Sequence, residues 1–328
     1  MWLTERAYAL YGKLSRHEGY AYRTKVYAKA LAHNLSDHDL RDYDLLFSIG
    51  SSEIAFLRTS APIVHLTDAT YAQMVGYYDG FNISEDYNRE ADAIQQAAYD
   101  NSAQIMFSSH WAADSGARDY EVPEEKANVV HFGPNQQVPD ELDEQPVDGK
   151  IRLLFVGKDW GRKGGHIAVE AVNALERAGA DATLTMVGCT PPREERLGPR
   201  VKAVRFVDDP AELFRASNAF ILPTRAECSA IVYCEACAYG LPCFTTETGG
   251  VADYVEDGLN GYRLGLDATG QDFADKILST FRETERYRAM RRRARQKYET
   301  DLNWGTWLER FEDIADKALS GKPRILAH

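Results

Sequence analysis

The stretch Phe220-Ile-Leu-Pro-Thr-Arg-Ala-Glu-Cys-Ser-Ala-Ile-Val-Tyr-Cys-Glu-Ala-Cys-Ala-Tyr-Gly-Leu-Pro242 decides how the chain is read. The apolar run Ala219 to Leu222, closed by Pro223, has the length and composition of a strand buried in a parallel sheet. A helical pattern follows from about Ile231 to Tyr239 and is stopped by Gly240-Leu-Pro242. Glu227 then falls in the loop beyond the carboxyl end of the strand, and Glu235 about a turn inside the helix. In a doubly wound sheet that end of the strands is where ligands bind. The backbone N–H groups of Ser229, Ala230 and Ile231 face it, as at other helix starts that hold anions. An anion cradle beside two carboxylates that can accept hydroxyl protons suits a sugar joined to a nucleoside diphosphate.

Working outward, apolar runs alternate with helical patterns on both sides, which predicts parallel sheets. Strands are expected at 44–50, 62–67, 104–108 and 128–132, with helices at 51–57, 84–99 and from Trp111. Residues 2–33 also keep a helical spacing, with a basic face that fits either solvent or an anionic surface. The acidic, proline-containing segment 138–150 reads as a linker. Beyond it come strands at 152–156, 182–187, 201–207 and 242–246. Helices are expected at 166–178, 210–217, 271–298 and 304–319. The division is therefore a first domain at 1–137, a linker, a second domain at 151–302, and a terminal helix and tail.

The chain has 328 residues and a formal net charge of −12. Length suits two domains. The acidic balance argues against a general nucleic-acid binder. No run is long and apolar enough to span a membrane, and Met1-Trp-Leu-Thr-Glu-Arg lacks the apolar core of a secretory signal. Five cysteines, all between Cys189 and Cys243, read as reduced thiols of a cytoplasmic protein. Cys234 and Cys237 form a C-x-x-C inside the expected helix, without a second pair, and packing is the reading there.

Several motifs in the second half occur in a fixed order: Gly157 with Arg162-Lys163-Gly164, Glu227-x7-Glu235, Gly249-Gly250 and Asp257-Gly-Leu-Asn-Gly261. This ordered set resembles the family 4 (group 1) retaining glycosyltransferases of GT-B architecture. The likeness covers about 152–307 well and 43–135 more loosely. It implies two Rossmann-like domains facing a cleft and a metal-independent transfer of a hexose from a UDP- or GDP-linked donor. The acceptor is a saccharide or a lipid-linked saccharide in surface polysaccharide assembly. No separate cofactor is implied. Lys163 sits where the family places its phosphate lysine. Lys158 stands where arginine is common, and lysine there lacks the bidentate fork, so Arg162 is a second candidate. Glu235 matches the residue that accepts from ribose hydroxyls, and Glu227 the one that contacts the transferred sugar. Gly249 and Gly250 allow close backbone approach at a strand end. Gly133, Gly188 and the Arg205-Phe206-Val207 segment belong to the expected donor surroundings. Retention implies attack on the face that the phosphate leaves, unlike the two-carboxylate scheme of retaining hydrolases.

The first half departs from the family pattern. Thr67 stands where many members have histidine. Asp68 either orients an acceptor hydroxyl or caps the following helix, and His65 is a packing or surface position. The family opens with a strand, a glycine-rich loop and a helix, whereas this chain starts in helices and shows four strands before the linker. The first domain is thus expected to be incomplete, and unpaired edges invite self-association. A basic run, Arg286, Arg288, Arg291, Arg292, Arg293, Arg295 and Lys297, either seats the protein peripherally on the inner face of a membrane or is a solvated helix face. Two rival functions share the architecture: a nucleotide-sugar 2-epimerase, and a non-catalytic nucleotide-sugar-binding subunit that needs a partner chain.

Overall fold

A computed structural model describes residues 21–36, 40–81, 83–142, 148–205, 207–229 and 231–321. The expected helical reading of residues 2–20 lies outside these. The chain divides into two units: the residues up to Val130 together with those from Leu308, and His131–Trp307.

The first unit holds a parallel sheet of four strands in the order β1-β2-β3-β4: Leu46–Ser48, Ile63–Thr67, Gln104–Phe107 and Ala127–Val129. All of β3 and all of β2 except Thr67 are buried, as continuous apolar runs in a parallel sheet require. Helix α1 (Lys25–Ser36), the one-turn helices α2 (Ser51–Ile54) and α3 (Tyr71–Met74), and α4 (Glu85–Asn101) precede β3. α5 (His110–Tyr120) follows it. α4 starts where the Ser84 hydroxyl accepts from Tyr87 N at 3.3 Å, with Glu85 and Asp86 in the first turn; both favour a helix amino terminus. Its buried stripe, Tyr87, Ala91, Ile94 and Ala98, repeats at helical spacing. His65 is buried rather than on the surface. Its ring lies 3.3 Å from Ser51 Oγ and 3.1 Å from the Ser48 carbonyl, and burial pulls its pKa down to about 4.

The second unit holds six parallel strands: β5 (Ile151–Val156), β6 (Ala182–Val187), β7 (Val201–Val204), β8 (Ala219–Leu222), β9 (Cys243–Thr246) and β10 (Gly261–Leu264). Their order is β10-β9-β8-β5-β6-β7. The chain runs outward from β5 through β6 to β7, then returns to pair β8 against the other side of β5. The order therefore reverses between β5 and β8. Helix α6 (Gly165–Arg177) packs on the sheet through Ile167, Ala168, Ala171, Val172 and Leu175. α7 (Ala211–Ala216) leads into β8. α8 (Ile231–Ala238) is apolar nearly all round, and its residues from Tyr233 onward are buried, the character of a core helix.

Three expectations change. The helix expected over 271–298 is two helices, α9 (Gly270–Arg282) and α10 (Thr284–Thr300), parted at Glu283 with ψ 84°. The strand expected to reach Val207 ends at Val204, and that at 128–132 ends at Val129. The basic run is a solvated face over Arg286, Arg288, Arg292 and Arg293, with Arg286 and Arg288 paired to Glu283 and Glu285, but not at its other positions. Arg295 is buried and donates to the carbonyls of Ala238 (2.8 Å), Pro139 (2.8 Å) and Asp140 (2.6 Å). Arg291 donates to the Gly240 carbonyl at 3.2 Å, and Lys297 pairs with Glu256. The last helix, α11 (Trp304–Ser320), begins in the second unit and ends in the first. Its Phe311 meets the edge of Phe47 at 5.3 Å. No helix among the described residues is long and apolar enough to cross a membrane.

Candidate functional site

The reversal between β5 and β8 is a topological switch point, where loops leaving adjacent strands diverge and open a crevice. The loop after β5 carries Lys158, Arg162 and Lys163, and the loop after β8 carries Glu227. The two loops meet: the Lys163 ammonium is ion-paired with the Glu227 carboxylate, both mostly buried. The Arg162 guanidinium donates to the Ala226 carbonyl at 2.9 Å, and Arg225 N donates back to the Arg162 carbonyl at 2.7 Å. Arg162 thus stitches the two loops together, while its own N–H bonds Asp159 Oδ1 at 2.9 Å. Lys158 is exposed.

Glycine is needed where the backbones crowd. Gly164 begins α6 at φ +73°, and a Cβ there would lie 2.0 Å from the Pro223 carbonyl oxygen. At Gly188 (φ +93°) a Cβ would lie 2.9 Å from the Gly157 oxygen, so the ends of β5 and β6 approach as only glycine permits. The loop after β9 joins from the other side. Gly250 N donates to the Glu227 carbonyl at 3.1 Å, next to Gly249 at φ +53°. Thr246 Oγ1 donates to the Thr224 carbonyl (2.5 Å) and Thr248 Oγ1 to that of Arg225 (3.3 Å). These two threonines were not expected; a hydroxyl that laces neighbouring strand ends has no local sequence signature.

Glu235 lies on the second turn of α8 and is 9% exposed. Burial pushes its pKa up to about 7, opposed by the Asn135 N–H, which donates to Oε1 at 3.3 Å. Asn135 belongs to a strap, residues 131–140, tied along α8. Cys234 Sγ donates to the Phe132 carbonyl (3.1 Å), Tyr239 OH to that of Gln137 (3.0 Å), and Arg295 fixes Pro139 and Asp140. These bonds tie residues 131–140 to the second unit, which begins at His131. Gly133 sits where a Cβ would be 2.7 Å from the Trp304 backbone nitrogen, and Trp304 Nε1 donates to the Pro134 carbonyl at 2.8 Å. His131 anchors the strap's start, within 2.9 Å of Asp301 and 3.2 Å of Asp253. Burial opposes its protonation, but hydrogen bonds to the two carboxylates raise its pKa above the ordinary value. Asp253 ends the turn that carries Gly249 and Gly250.

The structure thus brings together Gly157, Arg162, Lys163, Gly188, Glu227, Gly249 and Gly250 on the loops that leave four strand ends. Ser229 and Ile231 lie at the start of α8, and Glu235 within it. Phe206 and Ala230 lie outside the described residues. Asp68 lies in the first unit, exposed at the end of β2, and Thr70, not Asp68, caps α3, its hydroxyl accepting from Gln73 N at 3.2 Å. In the Asp257–Gly261 motif, buried Asn260 accepts from Glu256 N (2.7 Å) and donates to the Tyr254 carbonyl (2.8 Å). That motif shapes a turn.

Comparison with known proteins bears on the family and the fold. Residues 150–283 match the family described as Glycosyl transferases group 1. The chain is similar to spore coat protein SA of Bacillus subtilis (strain 168), 23% identical over 70% of this chain and 69% of that one. It is similar to the lipopolysaccharide glucosyltransferase WaaG of Escherichia coli (strain K12), 28% identical over 58% and 57% of the two chains. The chain therefore spans little more than half the length of WaaG. Among solved structures it is similar to Anabaena Alr3699/HepE in complex with UDP, with a TM-score of 0.67, 17% identity, and 88% and 82% of the chains covered. At that identity the likeness concerns the fold, which is GT-B with two Rossmann-like halves.

Proposed function

We propose that this chain, which belongs to the group 1 glycosyltransferases, moves a hexose from a nucleotide-diphospho-sugar to a saccharide or lipid-linked acceptor, with retention of configuration. The observation that carries this reading is the buried Lys163–Glu227 pair at the switch point of the second unit. As the bond from the anomeric carbon to the phosphate oxygen breaks, its electrons pass to the diphosphate. A cation and N–H donors already in place lower the cost of that charge without reorganisation. Lys163 is the cation, and the start of α8 offers the N–H groups. Glu227 accepts from hydroxyls of the transferred sugar while its pairing holds Lys163 in position. Glu235 accepts from the ribose hydroxyls. The acceptor oxygen attacks the face that the phosphate leaves, and its proton goes to the departing phosphate oxygen. Neither carboxylate shuttles a proton.

The donor identities suggested by relatives, glucose for WaaG and UDP for HepE, make UDP-glucose the first donor to try. Assembly of a surface polysaccharide is the setting that WaaG's lipopolysaccharide substrate suggests. A cytoplasmic location suits the five buried, unbridged thiols. The test is turnover of radiolabelled UDP- and GDP-sugars, as hydrolysis or as transfer to acceptor extracts. Loss of turnover in both Lys163→Ala and Glu227→Ala supports the assignment. Unchanged turnover in Glu227→Ala would sink it. Donor binding without turnover under any acceptor would favour the non-catalytic subunit.

A further inference from the structure

The strap of residues 131–140 is fastened firmly towards its two ends and lightly in its middle. On the first side the Trp304 indole donates to the Pro134 carbonyl at 2.8 Å, and a Cβ on Gly133 would lie 2.7 Å from the Trp304 nitrogen. On the second side the Tyr239 hydroxyl donates to the Gln137 carbonyl at 3.0 Å, and Arg295 holds Pro139 and Asp140. Between these ties lie Asn135 and Gln136. The Asn135 N–H reaches Glu235 Oε1 at 3.3 Å, long for such a bond. The Gln136 amide is buried, and neither its nitrogen nor its oxygen has a hydrogen-bond partner among the described residues.

A buried amide bonded at neither end opposes the seat that the strap takes. Gln136 would gain hydrogen bonds by turning out to water, and that turn would carry the adjoining Asn135 N–H away from Glu235. The ties prevent it: Trp304 acts just before Asn135, and Tyr239 just after Gln136. Glu235 depends on that N–H in turn. It is 9% exposed, and its carboxylate has no other hydrogen bond among the described residues. Oε2 is unbonded there yet keeps contact with solvent, so it is the oxygen left to accept from a ligand hydroxyl. The ionisable groups that feel the Glu235 charge are Cys234, beside it on α8, and Tyr239, just past the end of that helix. No charged side chain among the described residues shifts Glu235 itself.

We infer that Trp304 and Tyr239 are positioning residues for the nucleotide: through the strap they seat the Asn135 N–H on Oε1 of Glu235 and so present Oε2 to the ribose. That the hydroxyls at Oε2 are those of a ribose rests on the transferase reading; that the strap sets the carboxylate does not.

The test is an NMR titration of the Glu235 carboxyl in the full chain, labelled with isotopic glutamate and assigned with Glu235→Gln. UDP and GDP titrations by calorimetry cover the same pH range. Glu235 titrates at about 7 in the parent. The N–H favours the charged form, so loosening it raises that midpoint. Tyr239→Phe and Trp304→Phe each remove one donor and keep a ring, and each should raise the midpoint by about half a unit or more. Nucleoside diphosphate affinity, which needs the ionised carboxylate, should fall about twofold or more near neutral pH and recover as pH rises. Adding Gln136→Leu to Tyr239→Phe removes the amide that opposes the seat and should return both readings towards the parent. Tyr287→Phe is the control. It loses a bond of the same kind in the same unit, 3.0 Å to the Asn218 carbonyl, and should lower Tm without moving the midpoint. The inference falls if neither strap variant moves the midpoint, if Tyr287→Phe moves it as far, or if the double variant stays with Tyr239→Phe. A midpoint that moves while nucleotide affinity does not follow would keep the strap assignment and defeat the ribose role of Glu235. Affinity that falls with the midpoint unmoved would do the reverse.

Discussion

Replacing Glu235 by glutamine should stabilise the second unit and weaken its hold on a nucleotide. Burial, opposed by the Asn135 N–H, raises the Glu235 pKa from 4.5 to about 7. Between those values the folded protein keeps a proton that the unfolded chain has released. Stability therefore falls as pH rises through that window and stays lower above it. At about 1.4 kcal/mol per pKa unit, the ionised carboxylate costs the fold about 3 kcal/mol. Glutamine has the same shape and no charge to desolvate. The Gln variant should exceed the parent by about 1 kcal/mol near pH 5 and by about 3 kcal/mol near pH 8. For a unit of this size the latter is a rise of roughly 6–12 °C in Tm. Scanning calorimetry of both proteins at the two pH values measures the gap, and UDP and GDP titrations at the same pH measure the binding. Parent affinity should rise with pH as Glu235 ionises, and the variant's should be flat and low. A gap that does not widen with pH, or a variant less stable than the parent near pH 8, would refute the reasoning.

Lys163→Met should abolish donor turnover and cost about 3–5 kcal/mol, because it removes the cation from beside the buried Glu227 carboxylate; urea unfolding of Lys163→Met with Glu227→Gln should recover most of that loss. Gly164→Ala should cost at least about 2 kcal/mol, through a positive φ and a carbonyl 2.0 Å from the new Cβ, and a Tm within 1 °C of the parent would contradict the crowding argument. Arg295→Met should cost about 3 kcal/mol or more by leaving three carbonyls unbonded, read as a lower Tm and faster proteolysis at the strap. His131 is raised by its two carboxylates, so its contribution is present in full below the ordinary histidine value and is lost as pH rises through the raised one; the penalty of His131→Asn, followed by calorimetry, should shrink with increasing pH.

Much of this was readable in the sequence because it depends on local pattern. The strand Ala219–Leu222, the loop with Glu227 and the helix with Glu235 lie within one stretch, and apolar run, proline and Gly-Leu-Pro stop fix them in turn. What the sequence hid is held by long-range geometry. The Lys163–Glu227 pair joins loops 64 residues apart, and they meet only because β8 returns to the side of β5. The charges of Arg291 and Arg295 read as a solvated or lipid-facing run; their inward direction depends on carbonyls at Gly240, Ala238, Pro139 and Asp140. The break at Glu283 lacks a Gly or Pro to announce it, and the helical pattern continues across it.

The helix α11 gives the molecule a property that bears on how it can be taken apart. Its first residues count with the second unit, and its remainder with the first, where Phe311 rests on Phe47. A single split of the chain after Val130 would therefore not yield two self-sufficient pieces: the amino-terminal fragment would lack a helix encoded in its counterpart. The two halves are better suited to co-expression and reassembly than to independent production. A tag or reporter fused to each half would read that reassembly directly.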